Sequence, residues 1–325
     1  MEAPRTARRS DDMPMNSRST SPGYRRRGPF ARRAWLLLAM WAALCGCRSL
    51  SNQGPISQSV TTCRQLTQQG INAMERGDWK RAESLLSRAV EMSKTDADAR
   101  RHYAEALWHR GAMQDALVQL GEARRLAGED PGLAVRTGEL HLALGQINDA
   151  RRMVGEALRL DPKFAPAWAL RGRVAEALGQ TQQALADYQR ALGYAPENQD
   201  LTILVAETYR QLNEPQRALT ALQSLADSYT PGEEPQQVLY LEGLALTALR
   251  RYDDAVRSLS RAANRERPTP DILYRLAEAQ MLNGHAGESQ ATLQEALALA
   301  PDHAASRALA ARMALATPAS ATVLR

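Results

Sequence analysis

Few side chains in this sequence could do chemistry, and their spacing does not assemble a catalytic or metal-binding set. The chain has three cysteines and five histidines. His102 and His109 are two turns apart along one helix, which is too far for a shared zinc ion without a third element. No phosphate-binding loop, nucleophile elbow or H-E-x-x-H motif occurs. The histidines are therefore interpreted as solvated helix residues, and the sequence predicts no enzyme activity, no metal site and no cofactor.

The residue with the most specific context is Cys47. It ends an apolar run of 14 residues that begins at Ala34 and follows a flank dense in arginine. Such a run is too short to cross a hydrocarbon core of ~30 Å. A basic flank, a short apolar core and small residues at its end are typical of a secretory leader. The flank should keep its own end cytoplasmic and send the following chain outward.

The four residues Leu44, Cys45, Gly46 and Cys47 resemble the lipobox of bacterial lipoproteins, L-x-G-C. The resemblance implies that Cys47 is diacylated on sulfur and becomes the mature N-terminus, anchored in the cell envelope and facing the periplasm. Acyl chains contribute ~0.8 kcal/mol per buried CH₂, and two or more hold firmly. Arg48 stands where some bacteria use Asp for inner-membrane retention, which favours the outer membrane. The alternatives are an ordinary cleaved leader or, without processing, a cytoplasmic chain.

The positive charge of the chain belongs to its first 33 residues. The net charge is +5 overall, but residues 1–33 carry nine arginines and three acidic residues. Residues 34–325 then hold 32 basic and 33 acidic side chains. A near-neutral mature chain has no strong positive electrostatic potential that would attract phosphate groups, so a nucleic-acid partner is not expected.

Cys63 would be the remaining cysteine of a processed chain. If Cys47 is lipidated and Cys45 leaves with the leader, Cys63 has no partner for an intramolecular disulfide. It is interpreted as a half-buried thiol at the start of a helix. The alternatives are an exposed free thiol and an intermolecular bond.

A 34-residue period organises most of the chain after the leader. A small residue recurs with spacings of 34, 34, 34, 34, 37 and 34. Its positions are Ala82, Ala116, Ala150, Ala184, Ala218, Ala255 and Ser289. A second small residue lies 12 positions before each, and between the two stands a glycine, Asn213 or Arg250. Glycine and asparagine tolerate positive φ and end helices well, so each unit is predicted to be helix, turn, helix.

This pattern resembles the tetratricopeptide repeat (TPR) family. The repeat over 165–198 carries the family's residues at the family's spacing: Trp168, Gly172, Gly179, Ala184, Tyr188, Ala191 and Pro196. The resemblance covers 63–303 and implies an all-α fold, a right-handed α-solenoid of helix-turn-helix repeats. The seven repeats are predicted at 63–96, 97–130, 131–164, 165–198, 199–235, 236–269 and 270–303, with a loop insertion in the fifth.

The segments outside the repeats have simpler predictions. Residues 1–46 are predicted to be the leader, with a disordered basic region at 1–33, and 47–62 a flexible tether. Residues 304–316 are predicted to form a capping helix, and 317–325 a disordered tail.

The TPR resemblance implies a non-enzymatic scaffold that binds a protein or peptide on its concave face, which the first helix of each repeat lines in this family. Charged residues of both signs and aromatic residues, which are typical of interaction hot spots, occupy the candidate positions. The candidates are Arg101, Glu105, Trp108, His109, Glu139, Arg173, Glu176, Glu207, Arg210, Tyr240, Tyr274, Glu278 and Met281.

The lysine and asparagine clamp by which some TPR domains hold chaperone tails is absent. The matching positions hold Arg101 and Glu105 in the second repeat, and Ala169 and Arg173 in the fourth. The expected partner is therefore another protein or peptide, and no small-molecule substrate is predicted. More specific alternatives are an assembly factor for a pilus or secretin, whose layout is similar, and a regulatory subunit of an envelope or peptidoglycan enzyme.

Overall fold

The computed structural model describes residues 55–316, and all regular structure within them is α-helical. The described residues from Ser59 onward form one compact unit. This unit contains all the described helices, apart from the first turn of the first helix. The predicted leader, Cys47 and the predicted tail at 317–325 lie outside the described residues. None of the helices in the described range combines the length and the hydrophobicity that crossing a bilayer would require.

Fifteen helices follow one another in this range. They are α1 (Pro55–Glu75), α2 (Trp79–Met92), α3 (Ala97–His109), α4 (Met113–Ala127), α5 (Pro131–Ala143), α6 (Ile147–Leu160), α7 (Ala165–Ala177), α8 (Thr181–Tyr194), α9 (Gln199–Gln211), α10 (Pro215–Ala226), α11 (Gln236–Ala248), α12 (Tyr252–Arg265), α13 (Pro270–Leu282), α14 (Ala286–Leu299) and α15 (Ala304–Ala316). The odd-numbered helices up to α13 are the first helices of seven repeats, and the even-numbered ones are the second helices.

The helices pack in chain order, and the packing shows which side of the solenoid is concave. From α2 to α15, each helix packs against the next along the chain. Successive first helices also approach each other, for example α5 and α7, or α11 and α13. No pair of successive second helices in the described range comes as close. The inner side of a curved stack is where neighbours are closest, so the first helices line the concave face. The predicted right-handed solenoid with a capping helix is confirmed.

Small residues allow the two helices of a repeat to approach closely. The recurring alanines are buried, and a Cβ added to Gly172 would overlap the ring of Tyr188. Ser289 takes the alanine position in the last repeat and is fully buried. Its hydroxyl donates to the carbonyl of Ala277 at 2.6 Å, so the substitution leaves no unsatisfied donor in the core.

The turn inside each repeat requires a left-handed backbone. The glycine there has φ between 71° and 86° in five repeats, and Asn213 and Arg250 take 58° and 60° in the other two. The prediction of a helix-ending residue is confirmed at these positions. For Arg250, whose Cβ approaches the following carbonyl in this conformation, the turn is strained.

The prediction of a flexible tether over 47–62 is wrong for residues 55–62, because α1 begins at Pro55. Proline is favoured in the first turn of a helix, since its φ is already helical and its missing N–H would be unpaired there anyway. Cys63 and Leu66 then bury one face of α1 against the second helix of the same repeat. This first helix has 21 residues and is longer than the 13-residue first helices of the other repeats.

The insertion expected in the fifth repeat lies in the loop between α10 and α11. Its Glu234 is buried, accepts an N–H bond from Gly232 at 3.0 Å and pairs with Arg261 of α12 at 2.5 Å. At the other end of the solenoid, Leu309 of α15 is buried against Leu293 of α14. The capping helix thus covers the apolar face that the last repeat would otherwise expose.

Candidate interaction surface

Charged side chains from three successive first helices form a continuous line of ion pairs on the concave face. Arg136 of α5 lies 3.7 Å from Glu105 of α3 and 3.1 Å from Glu139 on its own helix. Glu139 in turn lies 3.1 Å from Arg173 of α7. The side chain of Glu139 is the most enclosed, at 16% exposure, while both arginines remain well exposed. Exposed pairs of this kind contribute little stability, so the line acts mainly as a fixed pattern of surface charge.

Arg101 and Trp108 lie beside this line on α3. Arg101 is exposed and pairs with Asp98 at 3.2 Å. Trp108 is half-buried and packs against the apolar cluster between α3 and α4. A cavity of about 320 Å³ opens between Arg101, Arg136 and Glu139. This end of the concave face therefore offers an aromatic surface, charges of both signs and room for a side chain.

In the last two repeats, tyrosines occupy part of the concave face. The Tyr274 hydroxyl donates to Glu278 at 3.2 Å, and the Arg275 guanidinium lies 4.9 Å from the Tyr274 ring and 2.9 Å from Glu278. Burial raises the pKa of Tyr240 and that of Tyr274, so both hydroxyls keep their protons and remain hydrogen-bond donors. The Nε atoms of Arg210 and Arg275 are buried and have no hydrogen-bond partner within the described residues.

Two of the predicted residues contact second helices instead of the other candidates. The ring of His109 stacks on Trp79 of α2 with centroids 3.7 Å apart. Glu176 accepts the hydroxyl of Tyr188, on α8, at 2.7 Å. The His109 contact joins two neighbouring repeats, and the Glu176 contact joins the two helices of one repeat.

The remaining three candidates contact side chains close to their own positions. Glu207 and Arg210 lie 3.9 Å apart on α9, and Met281 packs beside the capping helix. The binding role of every candidate stays a prediction.

Arg136 and Arg275 are not among the residues predicted from the sequence. Both occupy the position that holds His102 in the second repeat, and the three repeats between them have leucine there. Because leucine is typical of a core position, the repeat pattern predicts a buried residue there, and the two arginines are not predicted to lie on the surface. The usable signal was the three-residue spacing of Arg136 to Glu139 and of Arg275 to Glu278, which places opposite charges on one helix face.

The prediction of a solvated helix residue is wrong for His102. Burial lowers its pKa, and the neighbouring charge of Arg101 lowers it further. Its Nδ1 is buried with no hydrogen-bond partner in the described part of the chain, and its Nε2 lies 3.4 Å from the Arg101 guanidinium. A neutral imidazole, able to accept at Nε2, fits this setting. Within residues 55–316, no group of three or more His, Cys, Asp or Glu side chains is arranged to hold a metal ion.

Cys63 is completely buried, so the prediction of a half-buried thiol at a helix start is wrong. It lies more than two turns into α1, because that helix begins at Pro55. Its Sγ donates to Asp96 Oδ2 at 3.5 Å. Burial and the Asp96 carboxylate raise the pKa of the thiol, which makes it a poor nucleophile.

Comparison with sequence families identifies the class of this protein. Models described as tetratricopeptide repeat match residues 67–132 and, for a second such model, 107–174, 175–238 and 246–313. The chain belongs to the tetratricopeptide repeat family. Proteins of this family are in general non-enzymatic, and the fold supports a role as a protein–protein interaction scaffold. A search of curated proteins found no match to the sequence.

Solved structures show the same fold at low sequence identity. Yeast Tom70 superposes with a TM-score of 0.57 and 16% identity, covering 88% of this chain and 58% of Tom70. A tetratricopeptide repeat protein from Parabacteroides merdae has a TM-score of 0.56 and 12% identity, over 78% of this chain and 99% of its own. The APC/C hetero-tetramer Cut9-Hcn1 has a TM-score of 0.51 and 16% identity, over 87% of this chain and 46% of the matched one. At these identities the likeness shows the fold alone.

Proposed function

We propose that this protein is a lipid-anchored scaffold that binds a protein or peptide partner along the concave face of its solenoid. The observation that supports this most directly is the line of Glu105, Arg136, Glu139 and Arg173 across three repeats, with Trp108 beside it. Fixed charges of both signs give specificity and register, and an adjacent aromatic supplies contact area.

The exposed arginines of this face are the groups most open to a partner. The side chain of Arg101 is 46% exposed and that of Arg173 is 45% exposed. Each pairs with one carboxylate, which leaves guanidinium N–H groups able to meet a further acceptor. An extended peptide with acidic side chains facing these arginines fits the geometry.

The test begins with a displayed peptide library screened against the full chain. Recovered peptides are then measured against a double variant, Arg101→Ala with Arg173→Ala. The matched control is Arg125→Ala with Arg257→Ala, which also removes two exposed, ion-paired arginines but from second helices. The tyrosines and Trp108 are left intact, because they are half-buried and their loss would disturb packing.

We expect the concave variant to bind at least about tenfold more weakly, since each hydrogen bond to a charged group contributes roughly 1.5–3 kcal/mol. The control should keep the affinity of the wild type. Equal affinities of the two double variants would exclude the concave face as the binding site.

The anchor part of the proposal rests on the residues around Cys47. Their likeness to a lipobox supports a lipidated N-terminus facing the periplasm, with the outer membrane favoured. The test is the intact mass of the N-terminal peptide of the protein isolated from its own cells. We expect a peptide that starts at Cys47 and carries acyl chains. A chain that still bears residues 1–46 would refute the anchor and leave the concave-face proposal standing.

A further inference from the structure

A cavity of about 420 Å³ opens on the second-helix side of the solenoid, between α6, α7 and α8. Its floor is apolar, formed by Val154, Leu158, Val174 and the 43% exposed side chain of Leu178. Polar side chains stand around the floor at Arg151, Arg171, Gln180, Gln183 and Asp187. Since the first helices line the concave face, this cavity lies away from the proposed binding surface.

The fourth repeat has a polar pair at a position that is apolar in the fifth and seventh repeats and polar in the sixth, where Glu242 accepts a hydrogen bond from Ser258. Arg171 occupies the position of Val205 in the fifth repeat and Leu276 in the seventh. Its Nε donates to Asp187 Oδ2 at 2.9 Å, its Nη2 donates to Oδ1, and Gln183 Nε2 donates to the same oxygen at 3.2 Å. The Asp187 side chain is only 2% exposed. Its oxygens are therefore occupied and its charge is balanced by Arg171.

The guanidinium of Arg171 is held in place from a second direction. It lies 4.0 Å from the ring centroid of Trp168, whose own Nε1 donates to the carbonyl of Pro162 at 2.8 Å. A cation over an indole face is attracted to it, which adds to the hold of Asp187. Contacts with Asp187 and with Trp168 thus orient Arg171 at the cavity wall.

The free hydrogen-bonding groups at the cavity mouth are mainly donors. Arg151 of α6 is exposed and forms no ion pair or hydrogen bond with any described residue. Gln180 precedes α8 without capping it through its side chain. Counting Arg151, Arg171 and Asp187, the lining carries one net positive charge above an apolar floor.

We propose that this cavity binds an acidic side chain of a partner protein, with an apolar neighbour of that residue on the floor. Guanidinium groups bind carboxylates through paired hydrogen bonds, and Arg151 has this capacity free. Leu158 and Leu178 would cover the apolar neighbour. The site is independent of the concave face and allows the solenoid to hold two partners, or two segments of one partner, on opposite sides.

The test uses two short probes with the full chain: acetyl-Gly-Leu-Glu-Gly-amide and the same peptide with Lys in place of Glu. Their affinities are measured by ligand-observed NMR at low salt. The key variant is Arg151→Ala. The matched control is Arg152→Ala, which removes the same charge from the next residue of α6, but Arg152 pairs with Asp149 at 2.7 Å and does not line the cavity.

We expect the Glu probe to bind the wild type and the Lys probe not to bind. Arg151→Ala should weaken the Glu probe about tenfold or more, the lower end of what one hydrogen bond to a charged group contributes. Arg152→Ala and the concave double variant should leave it unchanged. The proposal is overturned if the Glu probe does not bind, if both probes bind equally, if the two single variants lose affinity equally, or if only the concave variant loses it.

Discussion

At the scale of single residues, Asp187 and Arg171 pair a buried charge with a half-exposed one. The carboxylate is almost fully enclosed, whereas 37% of the Arg171 side chain reaches solvent. Removing one partner of an ion pair costs most when the charge left behind cannot reach water. Replacing Arg171 alone and replacing Asp187 alone should therefore lower the free energy of unfolding by clearly different amounts.

We predict that Arg171→Leu lowers the free energy of unfolding by about 3–5 kcal/mol, because it leaves a buried carboxylate with only Gln183 as a donor. Asp187→Leu should cost less, since the long Arg171 side chain can turn its charge toward solvent. Urea titration of both variants and of the double variant measures this. A larger loss for Asp187→Leu than for Arg171→Leu would contradict the argument.

His102 makes stability depend on pH. Its pKa is lowered from 6.5 in the folded chain, so the unfolded chain binds more protons as the pH falls. The free energy of unfolding should therefore be constant well above pH 6.5 and decrease as the pH drops below that value. Unfolding at pH 5, 6, 7 and 8, with His102→Gln as the comparison, measures the effect. If the slope survives in the variant, another group causes it.

At the scale of the helix, the repeat period predicted the architecture well because it reports packing that each hairpin makes with its neighbours. The buried small residues and the left-handed turns recur at fixed spacing. The start of α1 was missed because residues 55–62 are mostly polar and belong to no earlier repeat, so no periodicity indicates a helix there. Only proline at the first position gives a local signal.

Two glycines within helices allow the effect of close packing on stability to be distinguished from the effect of helix propensity. We predict that Gly172→Ala destabilises the protein by about 1–3 kcal/mol, because the new Cβ would overlap Tyr188, which is fully buried and cannot move aside. Gly121→Ala in α4 should instead stabilise it by roughly 0.5–1 kcal/mol, since nothing lies near the added methyl group.

Thermal and urea unfolding of the two variants give the comparison directly. A destabilised Gly121→Ala would mean that alanine at either position disturbs the helix for a reason other than contact with its neighbours.

At the scale of the whole solenoid, the concave face depends on how repeats are placed relative to one another. The sequence identified Glu105, Glu139 and Arg173 as candidates from their repeat positions. It did not reveal that Arg136 reaches Glu105, because that contact crosses from one repeat to the next. It also gave no sign of the cavity beside Arg151, which three helices form together. Such features follow from the stacking geometry, which a single repeat does not encode.

Stability in a stack of repeats should be local, because each repeat contacts only its neighbours. The capping helix α15 tests this, since its Leu309 is buried against Leu293 in the last repeat. A chain that ends after His303 loses this helix, while a chain that ends after Ala316 keeps it and serves as the control. We expect amide hydrogen exchange to rise in α13 and α14 of the shorter chain, because their apolar face becomes exposed to water.

Exchange in α3 to α6 should be unchanged in both chains, since several intact repeats separate these helices from the cut. A uniform rise across all helices would show that the solenoid unfolds as one cooperative unit. In that case, a partner bound at one end would stabilise the other end as well. With local unfolding, the concave face and the cavity beside Arg151 respond to their partners separately.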